Sequence, residues 1–235
     1  MTLSAGISMT SRTDRESFRR WDVSPEEAIT LQRKLARQVV KKGQTGAVQT
    51  VAGVDVGFLG EMSRAAVVIL SYPALDLVDY TVVTRPVTRP YVPGLLSYRE
   101  GPVILDALDR LAMRPDLLIF DGHGLAHPRR LGLASHIGVL VDLPSIGCAK
   151  SRLCGQHDEP EVERGSYALL TEGDETIGAV VRTRSGVKPV FVSIGHRINL
   201  LASIEYVLTC CRGYRLPETT RWAHRAAGGE KPAIG

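Results

Sequence analysis

The chain has 235 residues, 44% of them hydrophobic and 23% charged, which fits a globular protein with one core of ordinary size and excludes a disordered or fibrous one. No apolar run approaches the roughly eighteen residues a membrane-spanning helix needs. A net charge of +4 suits a polyanionic partner but does not by itself demand one.

Residues 1–20 are rich in Ser, Thr and Arg and lack the apolar stretch of a signal peptide. They are expected to form a disordered tail, and Asp14 and Glu16 argue against a transit peptide. Ser24-Pro25-Glu26-Glu27 then combines a capping box with a proline at the first helical position. Ala28, Leu31, Leu35 and Val39 recur on one face, so an amphipathic helix is expected, closed by Lys41, Lys42 and Gly43.

Three strand-like runs follow, 51–58, 65–71 and 77–83, with turn residues between them, and they read as an antiparallel meander. Pro86, Pro90, Pro93 and Gly94 interrupt regular structure. A helix is expected over 99–113, a buried strand over 117–120, a helix over 132–141 and a short strand over 145–149. Strand and helix alternate here, which points to parallel pairing. A polar loop over 155–165, a hairpin from strands near 176–183 and 189–193, and a helix marked by Leu200, Ile204, Val207, Leu208 and Cys211 complete the pattern. The Gly/Ala/Lys/Pro-rich residues 226–235 are expected to be a loose tail, leaving 21–225 as one domain. The expected fold class is α/β: a ribonuclease-H-like mixed sheet, antiparallel meander then parallel strands, flanked by helices.

The four cysteines, Cys148, Cys154, Cys210 and Cys211, show no CxxC spacing, as in a reduced cytoplasmic protein. Chemistry concentrates elsewhere. The apolar strand 117–120 runs into Asp121, then Gly122, His123, Gly124, His127 and Arg129–Arg130. A charged group is not buried without a partner, so Asp121 belongs at the strand's open end, or caps a turn there. Asp55 stands between Val54 and Val56, and either faces solvent or needs a partner of its own. Glu100 lies at a helix start, where a carboxylate also favours the helix dipole. Adjacent central strands would bring Asp55 and Asp121 together, and a hard divalent cation such as Mg²⁺ relieves their repulsion. Lys150, at the end of the strand 145–149, is placed to stabilise a phosphate; a solvated lysine is the plainer alternative. His127, His136, His196 and His224 are candidates for proton handling.

Pro90-Tyr91-Val92-Pro93 is a stiff loop carrying an aromatic side chain. Such a tyrosine either packs on the core or acts as a wedge that opens a base stack, with Gly94, Leu95 and Leu96 forming the wall of a base pocket.

In order, PYVPGLLSYRE (90–100), PDLLIFDGHGLAHPRRLGLASHIGVLVDLPSIGCAKSRL (115–153) and VSIGHRINLLASIEYVLTCCRGYRLPETTRWAH (192–224) resemble the endonuclease V family. The resemblance implies a ribonuclease-H-like fold and a nuclease that recognises deoxyinosine in DNA. It implies hydrolysis of the second phosphodiester bond 3′ to the lesion, leaving a 3′-hydroxyl and a 5′-phosphate. It makes Asp55 and Asp121 metal ligands for Mg²⁺, with Mn²⁺ able to substitute, and Glu100 the third acid. Lys150, His127 and His224 join the catalytic set, Tyr91 becomes the DNA wedge, and Gly94, Leu96 and Gly122 shape the hypoxanthine pocket. A cytoplasmic monomer acting in DNA repair is expected. Inosine in RNA is the alternative substrate, and a non-cutting inosine-binding module the further alternative.

Overall fold

The computed structural model describes residues 18–43 and 47–233. In chain order the elements are α1 (Pro25–Ala36), β1 (Thr50–Leu59), β2 (Met62–Ser71), β3 (Leu77–Pro86), α2 (Leu96–Asp109), β4 (Leu117–Phe120), α3 (Leu133–Val141), β5 (Ser145–Ala149), β6 (Tyr167–Glu172), β7 (Glu175–Val181), β8 (Val190–His196), α4 (Leu200–Thr209) and α5 (Glu218–Ala227). The strands form one eight-stranded sheet in the order β3-β2-β1-β4-β5-β8-β7-β6. β1, β2 and β3 pair antiparallel, β1-β4-β5 run parallel, and β5 returns to antiparallel pairing with β8. This is the expected mixed sheet of the ribonuclease-H-like layout.

Strand alternation makes the sheet two-sided. Val51, Leu117 and Ile119 face a core closed by α4 and α5, whereas Ala52, Val54, Leu118 and Phe120 face one closed by α1, α2 and α3. The central strands are buried on both faces, which is why 117–120 is uniformly apolar.

The boundaries shift where tertiary contacts intervene. Ser24 caps α1 by accepting the Glu27 N–H at 3.2 Å, as its sequence pattern demands. The helix stops at Ala36, however, because Val40 is drawn to the end of β8: its N–H donates to His196 Nδ1 at 3.2 Å, and its carbonyl accepts from the Arg197 N–H at 2.8 Å. α2 begins at Leu96 rather than residue 99 because a turn feeds it directly. The Leu95 N–H donates to the Val92 carbonyl at 2.9 Å, with Pro93 and Gly94 (φ +78°) at its centre, as a type II turn requires.

Two elements escape the sequence reading altogether. β6 is an edge strand with only Leu170 buried, so it lacks a strong apolar signal. α5 buries only small or polar side chains, Thr219, Thr220, Ala223, Ala226 and Ala227. Of the two expected tails, residues 1–17 and 234–235 lie outside the described residues. Phe18 packs against the α1–α3 side of the sheet. Among the described residues, no helix is long and apolar enough to cross a membrane.

Candidate active site

β1 and β4 end their parallel pairing at Val54 and Phe120. The Asp121 N–H then donates to the Val54 carbonyl at 3.2 Å, so Asp55 and Asp121 each stand one residue beyond the last rung. That position, at the carboxyl end of parallel strands, is where open α/β sheets present ligand-binding groups. One ligand atom from each of Asp55, Asp121 and His224 lies within 4.8 Å of the others.

His224 arrives on α5, and its Nδ1 is 2.7 Å from Asp55 Oδ2. The helix approaches this closely because residue 53 is glycine: a Cβ there would stand 1.9 Å from the Thr219 carbonyl oxygen. From β5, Lys150 Nζ pairs with Asp121 Oδ2. From α2, on the opposite face of the sheet, Glu100 is buried beside both aspartates. Its pKa is pushed up to about 8, first by burial and then by the negative charge of Asp55, with Arg99 opposing and Asp121 adding to the rise. Burial and the neighbouring Asp121 likewise raise Asp55, against the pull of His224. Excess negative charge is therefore gathered at one half-buried point. Two carboxylates and an imidazole, with no thiolate among them, form a donor set that fits a divalent cation.

Beside the acids lies a cavity of about 210 Å³ lined by Tyr91, Gly94, Leu96, His123, His127 and Leu133, among others. It is below the usual range for drug-sized ligands, and suits a single base. Tyr91 stands at its mouth, 58% exposed on the proline loop. His127 is buried in its wall. Nδ1 accepts the Arg129 N–H at 3.1 Å, so Nε2 carries the proton and donates to the Gly94 carbonyl at 3.1 Å. Burial, then the Arg129 charge, lowers its pKa to about 4. The structure thus places His127 as a neutral wall group sharing no hydrogen bond with the acids. Gly122 stands behind the wall, where a Cβ would meet Leu133 at 3.7 Å. Three other clefts are larger, two of about 820 and 560 Å³ around Arg114 and Asp142 and one of about 310 Å³ beside Arg85 and Arg99, and none of them is lined by Asp55, Glu100 or Asp121.

The other candidate histidines sit elsewhere. His136 is fully enclosed, bonded to Ser97 Oγ at 2.8 Å, and burial pushes its pKa to about 3. His196 ties Val40 to Asp142. Sequence reasoning missed Gln32 and His123, both of which line the cavity. Gln32 left a trace: with Ala28 and Leu35 it forms the buried side of α1, a polar residue on an otherwise apolar stripe.

The mixed sheet, with its acids gathered where two parallel strands part, defines an α/β protein of the ribonuclease-H-like class. A family model described as Endonuclease V matches residues 33–225. The chain is 53% identical over 207 residues to endonuclease V from Roseiflexus sp. (strain RS-1), covering 88% of this chain and 93% of that protein. Its fold superposes on the crystal structure of endonuclease V from Streptomyces avermitilis with a TM-score of 0.84 at 43% identity, covering 88% of this chain and 93% of the other. Endonuclease V from Ciona intestinalis, solved with a 24mer DNA containing an inosine followed by a ribo-adenosine, gives a TM-score of 0.74 at 27% identity, covering 86% and 95%. The chain belongs to the endonuclease V family of nucleases.

Proposed function

We propose that this protein cleaves DNA carrying deoxyinosine, the product of adenine deamination, at the second phosphodiester bond 3′ to the lesion. The observation that carries the reading is the convergence of Asp55, Asp121 and His224 beside a base-sized cavity lipped by Tyr91. The inosine-containing DNA bound by the Ciona relative supports the choice of base.

In this reading Tyr91, on the Pro90–Pro93 loop, fills the gap left by an extruded base, and Gly94, Leu96 and the residues around Gly122 enclose that base. Asp55 and Asp121 would hold Mg²⁺, for which Mn²⁺ could substitute, and such an ion would supply Lewis-acid polarisation of the phosphate and activation of water. His224 orients Asp55 through its 2.7 Å contact. Lys150, already paired with Asp121, offers its ammonium to the charge that builds on the phosphate. Glu100, with its displaced pKa, completes the acidic set. His127 acts on the base side. Water oxygen attacks phosphorus and the P–O3′ bond breaks, which leaves a 3′-hydroxyl and a 5′-phosphate. Residues 21–225 act as a single domain in a cytoplasmic monomer that starts DNA repair without removing the base.

A second reading, inosine in RNA, draws on the ribo-adenosine that follows the inosine in the Ciona complex. One assay separates the two. End-labelled strands carrying deoxyinosine, riboinosine or neither are incubated with the protein and its Asp121→Ala variant, with and without Mg²⁺. The proposal expects a Mg²⁺-dependent cut one nucleotide beyond deoxyinosine, absent in the variant. Faster cutting of the RNA strand establishes the second reading, binding without cutting leaves a recognition module, and equal cutting of all strands defeats base recognition.

A further inference from the structure

The Gly94 carbonyl, in the wall of the base cavity, receives three donors: Gln32 Nε2 at 3.0 Å, His127 Nε2 at 3.1 Å and an Arg129 guanidinium nitrogen at 2.6 Å. Gln32 ties this group together. Its Oε1 accepts from Arg129 Nε at 2.5 Å, and its Nε2 also reaches the Leu131 carbonyl at 3.4 Å. Gln32 is 1% exposed and projects from α1, one residue before the segment matched by the family model. Among the described residues Arg129 makes no ion pair, and its side-chain hydrogen bonds go to neutral oxygens.

A carbonyl oxygen has two lone pairs, so three donors leave it little freedom to turn. Gly94 needs such restraint. Its φ of +78° is one that side-chain-bearing residues rarely adopt, and its Cα faces the Arg129 guanidinium so closely that a Cβ would stand 2.5 Å from it. The same residue is the hinge between the Tyr91 loop and α2. One buried amide therefore links α1, the loop after β4 and the loop bearing the wedge.

We infer that Gln32 is a positioning residue for base recognition: its buried amide bridges Arg129 and the Gly94 carbonyl, and so fixes the wall against which the extruded base packs. The inference rests on the deoxyinosine reading. It makes α1 part of the reading apparatus, although α1 contributes nothing to the acidic centre. Loss of the amide weakens the base-selective part of binding and leaves contacts to the sugar-phosphate backbone intact.

The test uses the full-length protein, Gln32→Met and Gln32→Glu, under single-turnover conditions. Methionine keeps the length and loses all three hydrogen bonds; glutamate still accepts from Arg129 but cannot donate to the Gly94 or Leu131 carbonyl. For a strand with one deoxyinosine, Gln32→Met is expected to raise the half-saturating concentration roughly three- to tenfold, the worth of about one hydrogen bond, with the saturating rate within about twofold of wild type. A strand with an abasic analogue at the same place should compete equally against all three proteins. Gln32→Glu is expected to move the same way by less, and it carries the test if Gln32→Met does not fold. Equal weakening toward both strands, or a fall in saturating rate at unchanged half-saturation, overturns the inference. If wild type shows no preference for deoxyinosine over an unmodified strand, the proposed substrate itself fails, which is a distinct result.

Discussion

His224 Nδ1 and Asp55 Oδ2, 169 positions apart in the chain, lie 2.7 Å from one another. The contact joins α5 to β1, and its two residues are among the three clustered as candidate metal ligands. His224→Ala is expected to reduce single-turnover cleavage by roughly 10²-fold or more, the scale of one positioned proton-transfer or ligand group. Affinity for a deoxyinosine strand should change far less. Unchanged cleavage in the variant would remove His224 from the site.

The helix that carries His224 depends on a missing side chain. At Gly53, a Cβ would stand 1.9 Å from the Thr219 carbonyl oxygen and 2.2 Å from its carbon, both backbone atoms that cannot rotate aside. Gly53→Ala must therefore push α5 away from β1. A loss of about 1–3 kcal/mol in urea unfolding is expected, the range for overpacking, together with a fall in activity like that of His224→Ala. A variant with wild-type stability and activity would show that α5 tolerates the shift.

Glu100 makes the stability of the metal-free protein depend on pH. Its folded-state pKa is about 8 against an ordinary 4.5, burial being the main cause and Asp55 the next. The group therefore contributes stability that is fully present below pH 4.5 and is lost as pH rises through about 8. In chelator, Glu100→Gln should be more stable than wild type at pH 8.5, by thermal denaturation, and the advantage should disappear at acidic pH. A variant equally stable at both would place Glu100 in a solvated setting. Divalent cation should raise the melting temperature of wild type more than that of the variant.

Tyr91 and Gly94 separate recognition from folding. Tyr91 is 58% exposed, so Tyr91→Ala should change stability by no more than about 0.5 kcal/mol. Its cost should appear in discrimination, as a smaller ratio of cleavage between deoxyinosine and unmodified strands. Gly94→Ala has both a strained φ of +78° and a clash with Arg129. It should lose about 1–3 kcal/mol of stability as well as base preference. Identical behaviour of the two variants in both measurements would argue against a wedge that is mechanically distinct from the pocket wall.

Much of this architecture is legible in the chain because burial leaves a pattern. The apolar run 117–120 and its following aspartate give both a central strand and a site residue, and the Ser24–Glu27 box gives the start of α1. Asp55 declares itself by interrupting an apolar strand and Asp121 by ending one. What stays hidden has no such contrast. α5 buries threonine and alanine, so nothing in its composition marks a helix or the reason His224 reaches Asp55. β6 covers an edge and is half open to solvent. The antiparallel return of β8 onto β5 is a choice of topology that local pattern does not encode. His127 lies close to Asp121 in sequence, yet its ring turns to Gly94, because a chain reversal after Asp121 decides the direction and spacing does not.

The seat of α5 on β1 also sets an order of events. Both aspartates and Lys150 are present in the first 150 residues, but the imidazole that meets Asp55 is 169 positions beyond it. A contact this distant in sequence can form only once the chain through α5 has been made, and such non-local contacts carry a large loop-closure cost. A nascent chain halted before residue 218 would hold the acids without their histidine partner. The acidic centre is therefore completed late, by the seating of α5 on β1.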